Sequence, residues 1–249
     1  MDINERLINM LSQISPHVYI LPFDKERDRP NLGYIHGSNY SMLIDAGNSP
    51  AHLKAMLDAV SASDLPAPKT VLITHWHWDH TFAMHAFPGL TVAHQKTDRM
   101  LGTLTEWEWT EEAMAERLRT GEECEFCDTH IKIEYGDIRK IRVVQADIVF
   151  DGKTAFNLGG VTVEATPITN PHSDDGIVAF IREDRVLFAG DADTGDFYKL
   201  DGGYDPYRFH HYIKEVDQID YDTYIHGHLG PMSREETSAL RRQIKAEEL

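Results

Sequence analysis

The stretch THWHWDH, residues 74–80, crowds three histidines and one aspartate into seven positions and decides how the chain is interpreted. Imidazole nitrogens and carboxylate oxygens are the usual protein ligands of zinc and similar divalent ions. In an extended segment, residues i and i+2 point to the same side, so His75 and His77 can bind one ion together. If the chain enters a helix after His77, Asp79 and His80 can both face a second ion. The stretch therefore predicts two half-sites that ligands from elsewhere must complete.

Three more candidate ligands follow apolar segments that are predicted to be strands. His172 lies in the proline-containing loop after VTVEA, Asp191 follows VLFAG, and His228 follows TYIHG. Ligands at a cleft commonly lie on loops just beyond strand ends. We assign His75, His77 and His172 to the first ion, Asp79, His80 and His228 to the second, and Asp191 to both. His226 is the alternative to His228 as the last ligand.

The two halves of the chain follow the same predicted order of elements. In the first half, the hairpin LGYIHGSNYSMLIDAG carries Asp45 at the end of its second strand, and a helix and the strand VLIT lead to His75. In the second half, the hairpin GIVAFIREDRVLFAGD ends at Asp191, and a helix at about 206–219 and the strand TYI lead to His228. We expect Asp45 to accept a hydrogen bond from a ligand histidine and so to fix its orientation.

The middle segment, residues 94–135, belongs to neither half and is predicted to be largely helical. Strands are predicted after it in IRKIRVV, TAFNL and VTVEA. The segment contains a CxxC pair, Cys124 and Cys127, which no second CxxC or nearby histidine pair completes as a zinc site. We expect the two cysteines to be structural, with oxidation to a disulfide as the alternative.

Composition and charge limit the classes of partner. The chain has 249 residues, of which 41% are hydrophobic, and its 41 acidic residues outnumber 24 Lys and Arg to give a net charge of −17. This charge, with no run of basic residues, predicts no nucleic-acid partner and no membrane partner. No apolar run approaches the roughly 20 residues of a membrane span. The N-terminus lacks the basic start of a signal peptide, so we expect a cytoplasmic protein; the oligomeric state stays open.

The order of these residues resembles the ligand pattern of the metallo-β-lactamase superfamily. That pattern is HxHxDH, a single downstream histidine, an aspartate that ends a strand, and Gly-His, here at residues 75–80, His172, Asp191 and residues 227–228. LIDAG resembles the early aspartate motif of that family, and FAGD resembles its strand with the bridging aspartate. The string HSDDGIVAFIREDRVLFAGD resembles a subgroup of cytoplasmic bacterial members. The resemblance extends from about Tyr19 to the final helix. It implies one domain over residues 1–249, an α/β protein of the α+β type with a four-layer αββα sandwich.

The implied activity is that of a metal-dependent hydrolase with a dinuclear site, which holds two zinc ions per chain, or manganese or iron in their place. A metal-bound hydroxide would attack the carbonyl of a small-molecule substrate, which we expect to be a thioester, lactone or ester. Asp79 would also relay a proton. Tyr198 would donate a hydrogen bond to a substrate oxygen, unless it packs beneath its loop. The alternatives are a persulfide dioxygenase-like enzyme with one iron, a phosphodiesterase or nuclease of the same fold, or a metal-binding protein without activity.

Overall fold

Two β-sheets form the centre of the fold in the computed structural model, which describes Leu7 and residues 10–247. The expectation of no signal peptide falls largely on residues 1–6, 8 and 9, outside the described residues. The first sheet has the order β1-β2-β3-β4-β5-β6-β7, and the second has the order β13-β12-β11-β10-β9-β8. The strands are β1 Ser12–Gln13, β2 Val18–Leu21, β3 Leu32–His36, β4 Ser41–Ile44, β5 Thr70–Leu72, β6 Leu90–His94, β7 Ile148–Phe150, β8 Thr154–Asn157, β9 Thr162–Pro167, β10 Ile177–Ile181, β11 Val186–Gly190, β12 Thr223–His226 and β13 Met232–Ser233.

Some of the described helices lie on the outer faces of the sheets, and others form the middle segment of the chain. They are α1 Pro50–Ala62, α2 Trp78–Thr81, α3 Gln95–Leu104, α4 Glu111–Thr120, α5 Glu125–Tyr135, α6 Pro206–Val216 and α7 Arg234–Glu247. Ser49 caps α1 by accepting a hydrogen bond from the His52 amide at 3.1 Å. No helix in the described part of the chain is long and apolar enough to cross a membrane.

Three apolar layers hold the elements together. The core between the sheets combines side chains such as Ile35 and Met42 of the first sheet with Ala165 and Phe188 of the second. On the outer face of the first sheet, the apolar stripe of α1 packs against β4 and β5. On the outer face of the second sheet, α6 packs against β10 and β11. The layers therefore run helix, sheet, sheet, helix, which confirms the predicted αββα sandwich.

The two halves of the chain, for which the sequence predicts the same order of elements, have the same strand topology in the two sheets. In the first sheet β3 and β4 are antiparallel, and β4 and β5 are parallel. In the second sheet β10 and β11 are antiparallel, and β11 and β12 are parallel. The helix that joins each parallel pair, α1 or α6, crosses the outer face of its own sheet. As a result, β4, β5, β11 and β12 all end towards one edge of the sandwich.

The prediction of a strand in IRKIRVV is wrong. Residues Ile138–Lys140 form a 3₁₀ turn, in which the Asp137 carboxylate accepts a hydrogen bond from the Arg139 amide. Ile141 packs into the cluster of middle-segment side chains, whereas Val143 and Val144 pack at the margin of the α1 layer. The apolar residues of this segment are thus buried one by one, without a neighbouring strand. The strand that pairs with β6 is the later segment β7.

The two sheets approach each other closely where Gly33 of β3 faces Phe188 of β11. A Cβ atom added at Gly33 would lie 2.6 Å from Phe188 Cε1, closer than such atoms pack. We expect Gly33→Ala to lower the free energy of unfolding by about 1–3 kcal/mol through overpacking. Urea denaturation would measure the change, with Gly230→Ala as the control, because no atom lies within 4 Å of that position. Combining Gly33→Ala with Phe188→Leu should recover part of the loss; strictly additive effects would contradict this account.

Candidate metal centre

The ends of the parallel strands deliver the candidate ligands to one edge of the sandwich. His75 follows β5 after Thr74, and His77 is the N-cap residue of the single-turn helix α2. This turn changes the chain direction as the sequence predicts, so that Asp79 and His80 face inward from α2. Asp191 directly follows β11. The ligand pattern of residues 74–80 therefore depends on a strand that ends and a helix that begins within a few residues.

The candidate ligands form two adjacent clusters. One ligand atom from each member of a cluster lies within 4.8 Å of the corresponding atoms of the other members. The first cluster contains His75, His77 and His172, and the second contains Asp79, His80, Asp191 and His228. Asp191 Oδ2 is 3.7 Å from Nε2 of His80 and 3.8 Å from Nε2 of His172. This carboxylate therefore lies between the clusters, within reach of both.

Hydrogen bonds to Nδ1 fix the orientation of three candidate ligand rings. An Nδ1 atom that is occupied by a neighbour leaves Nε2 as the free nitrogen, which is the usual arrangement around metal-binding histidines. The pairs are His75 with Thr74 Oγ1 at 3.0 Å, His80 with Asp45 Oδ2 at 2.8 Å, and His172 with the Gly195 carbonyl at 2.8 Å. In all three residues the Nε2 atom points into the site.

These free nitrogens provide the test of whether the site suits a metal. Nε2 of His75, His80 and His172, and Oδ1 of Asp191, are buried and make no hydrogen bond. Nε2 of His80 does lie 3.1 Å from Asp79 Oδ2, but without hydrogen-bond geometry. Buried polar atoms without partners cost roughly 1–3 kcal/mol each. A divalent cation in each cluster would provide partners for these atoms, so the residues present fit metal binding.

The protonation of the clusters agrees with this interpretation. Burial lowers the pKa of His75 and His77 well below the usual value, which keeps both imidazoles neutral. His80 differs: although burial disfavours its charged form, the Asp79 and Asp45 carboxylates raise its pKa well above the usual value. The carboxylates of the second cluster thus favour a positive charge beside them, which a bound cation would also supply.

Asp45 joins the first sheet to this centre. Its carboxylate accepts hydrogen bonds from the Thr74 amide at 2.7 Å and the Thr74 hydroxyl at 2.9 Å, in addition to its contact with His80. The backbone of Asp45 has a φ of 62°, in the left-handed region that non-glycine residues rarely adopt. Such a conformation persists only where surrounding contacts hold it. Asp45 therefore positions both His80 and the strand end that carries His75.

Two residues that position His228 were missed from the sequence. Asp28 Oδ1 lies 3.5 Å from His228 Nδ1, and burial, with the charge of Asp79, raises the pKa of Asp28 to about 7. The Asn31 side-chain amide donates to the carbonyls of His226 and Leu229, both at 2.7 Å, and so clamps the loop that carries His228. Neither residue lies in a motif. The only sequence signal is their place before β3, which neighbours β4 in the first sheet.

His226 lies beside the clusters and belongs to neither of them. Its Nδ1 accepts a hydrogen bond from the His228 amide at 2.8 Å, and its Nε2 lies 3.0 Å from Thr194 Oγ1 and 3.3 Å from Asp193 Oδ1. Both ring nitrogens are thus engaged with the protein. Since the His228 side chain reaches the second cluster, His228 remains the proposed ligand, and His226 supports its loop.

A cavity of about 440 Å³ opens onto the clusters. Its wall is mainly apolar and includes the side chains of Phe23, Phe126, Phe197 and Leu229. The rings of Phe126 and Phe197 stack with centroids 5.2 Å apart. Tyr198 also lines the cavity; its ring lies 5.1 Å from that of His77. The arrangement can place an apolar small molecule against a polar centre.

Comparisons with known proteins give a family and a set of similar folds. The family model described as the metallo-β-lactamase superfamily matches residues 27–228, whereas a comparison with curated proteins gave no match. A metallo-β-lactamase from Pontibacter korlensis superposes with a TM-score of 0.69 at 16% identity, over 95% of this chain and 99% of that one. A metallo-β-lactamase family protein from Thermus thermophilus gives 0.65 at 18% identity, over 94% and 81%. The metallo-β-lactamase FIM-1 from Pseudomonas aeruginosa, in its mono-zinc form, gives 0.63 at 13% identity, over 96% of both chains.

The two clusters predict how single substitutions change metal content. We expect His172→Ala to weaken metal binding mainly in the first cluster and His228→Ala in the second, because each removes one of three or four grouped ligands. Elemental analysis after dialysis would show about one ion fewer per chain in each variant. The matched control is His210→Ala, an exposed histidine that bonds the Pro206 carbonyl of its own helix. Unchanged metal content in His228→Ala, with loss in His226→Ala, would reverse the assignment of the last ligand.

Proposed function

Because the chain belongs to the metallo-β-lactamase superfamily, we propose that it is a dinuclear zinc hydrolase acting on a small thioester, lactone or ester with an apolar group. The observation that carries this proposal is the set of buried, unpartnered ligand atoms at the base of an apolar cavity. Superfamily membership and the His/Asp clusters support a metal-dependent hydrolase. To this statement our proposal adds the identity of the metal, the number of ions and the substrate class.

The proposed ligands divide between the two ions as the clusters do. His75, His77 and His172 would hold one ion, Asp79, His80 and His228 the other, and Asp191 both. Bound divalent zinc supplies hydroxide at neutral pH, by lowering the pKa of water, and polarises a carbonyl oxygen. Two divalent cations would exceed the charge of the carboxylates of Asp79 and Asp191. The centre would therefore attract a polarised or anionic group despite the net charge of −17.

The protein side chains around the centre have separate proposed tasks. Asp79 Oδ2 lies 3.0 Å from His228 Nε2 at the floor of the cavity, where it can take a proton and pass it on. Burial of the ligand rings excludes bulk water from beneath the reacting groups. Asp45 and Asp28 hold the His80 and His228 rings from behind. Proton movement is thus assigned to Asp79 and orientation to the outer carboxylates.

The cavity supports the choice of substrate class. Its aromatic and aliphatic wall favours an acyl chain or apolar leaving group over a sugar–phosphate backbone. The acidic surface also opposes a polynucleotide. The two clusters consist of histidines and aspartates, so they offer no Ser or Cys nucleophile. A carbonyl substrate that presents its reactive carbon to the clusters and its apolar end to Phe126 and Phe197 fits these features.

Metal analysis followed by a substrate panel tests the proposal. We expect about two zinc ions per chain in protein reconstituted with zinc, and hydrolysis that a chelator abolishes and added zinc restores. Among nitrophenyl esters and thioesters, longer acyl chains should lower KM until the cavity is filled. One tightly held iron with no second ion on titration would contradict the dinuclear site and favour the dioxygenase alternative. Cleavage of a phosphodiester, with none of esters, would contradict the substrate class.

Tyr198 is the proposed donor to the substrate oxygen. Its hydroxyl now donates to Cys127 Sγ at 3.6 Å, a weak acceptor that a substrate carbonyl would replace. We expect Tyr198→Phe to lower kcat by the equivalent of about 2–4 kcal/mol, the value of one oxyanion donor, with unchanged metal content. Steady-state kinetics on the best ester would measure the loss. If turnover and KM are both unaltered, Tyr198 has only a packing role.

A further inference from the structure

The CxxC pair occupies the start of helix α5 beside the candidate active-site cavity. Cys124 is the N-cap residue, and its Sγ accepts a hydrogen bond from the Cys127 amide at 3.4 Å. The two thiols and the Glu123 carboxylate each place one atom within 4.8 Å of the others. Both cysteines are reduced here, with Cys124 partly exposed and Cys127 buried in the cavity wall. The pair therefore consists of one partly exposed thiol and one buried thiol.

We propose that Cys124 and Cys127 form a redox-active dithiol, which reacts with small disulfides to give an internal disulfide in the wall of the cavity. The geometry carries this proposal: two thiols face each other across the first turn of a helix, and one of them is open to solvent. This arrangement is the one in which cysteine pairs undergo thiol–disulfide exchange. It extends the alternative of oxidation to a disulfide, which the sequence left open beside a structural role.

The surroundings of the two sulfurs give the two thiols different reactivity. A hydrogen bond from the Cys127 thiol lowers the pKa of Cys124, which makes Cys124 the attacking thiolate. The same hydrogen bond, with burial, raises the pKa of Cys127 well above its usual value. Cys127 therefore stays protonated until it attacks the mixed disulfide. A partly exposed thiolate next to a buried thiol is an attacking and resolving pair.

The exchange conserves atoms and electrons in two steps. The Cys124 thiolate attacks one sulfur of a small disulfide, forms a mixed disulfide and releases one small thiolate. The Cys127 thiol then loses its proton and attacks Cys124 Sγ, which forms the internal disulfide and releases the second small thiolate. The two protein thiols are oxidised by two electrons in total, and the small disulfide is reduced to two thiols.

The reaction also alters the cavity wall. In the reduced protein, Cys127 Sγ accepts the Tyr198 hydroxyl, and the Tyr198 ring lies against those of Trp76 and His77, at 4.9 and 5.1 Å. A disulfide with Cys124 would convert the Cys127 thiol that accepts this hydrogen bond into a disulfide sulfur. The redox state of the pair is therefore transmitted to a side chain that lines the cavity and contacts a candidate metal ligand.

A second zinc site at this pair is less well supported. Structural zinc takes four protein ligands, and this stretch offers three, the Glu123 carboxylate and the two thiols. Glu123 Oε1 already accepts a hydrogen bond from the Cys124 amide at 3.0 Å, and Cys127 already contacts Tyr198. If the test below shows that this pair binds zinc, the result contradicts the proposal.

Intact-protein mass spectrometry of the full, zinc-loaded chain tests the exchange without reference to hydrolysis. The reduced protein is incubated with oxidised glutathione and then treated with iodoacetamide. We expect a mass lower by two hydrogen atoms, with no bound glutathione and no alkylation, and full reversal by dithiothreitol. Cys127→Ser should stop at a mixed disulfide of Cys124 with glutathione. Cys124→Ser should not react while folded, but should react in urea, where Cys127 is exposed.

Three results would overturn the proposal. The first is a wild-type protein that keeps one glutathione and forms no internal disulfide. The second is a folded protein in which neither thiol reacts, although both react in urea. The third is reaction only after a chelator, together with one fewer zinc ion in Cys124→Ser. A failure of the hydrolase proposal leaves all of these measurements unaffected, because none of them uses substrate.

Discussion

The burial of six of the seven candidate ligand side chains, with His228 partly exposed, at one edge of the sandwich is the constraint on which the rest of the structure depends. A buried polar group without a partner costs several kcal/mol in an apolar setting. The protein meets part of this cost by occupying Nδ1 of His75, His80 and His172 with fixed neighbours. The remaining Nε2 atoms have no protein partner. A bound cation would supply these partners, and its binding would then add to the stability of the fold.

The two sheets converge on this site through a small number of backbone and side-chain contacts. The Ile177 amide of β10 donates to the Thr74 carbonyl at 2.9 Å, which ties the second sheet to the strand end that carries His75. On the other side, the Asn31 amide donates to the Gly227 carbonyl at 2.6 Å. These links fix the positions of the two sheet edges relative to each other. Because each cluster combines side chains of residues 75–80 with side chains of the second half of the chain, the packing of the sheets sets how the two sets meet.

The resemblance of the ligand pattern to the superfamily implies the αββα fold, whereas short-range patterns predict the hairpins and the residues that meet at the site. Alternation and turn residues mark the hairpins, and the spacing in residues 74–80 already contains the turn from strand to helix. It does not predict Asp28 or Asn31, because their roles depend on how the segment before β3 folds over the loop of His228. It also fails for IRKIRVV, where apolar residues pack singly onto existing clusters and no strand neighbour is present.

Ligand geometry and cavity shape come from different parts of the chain. The ligands are attached to the sheets, which repeat one topology twice, so their positions follow from the fold of the family. Much of the cavity wall instead comes from α5, which supplies Phe126 and Cys127, and from the loop after β11, which supplies Phe197 and Tyr198. Neither segment contributes to the sheets. Substitutions in these two segments would therefore change the cavity wall while the candidate metal ligands stay in place.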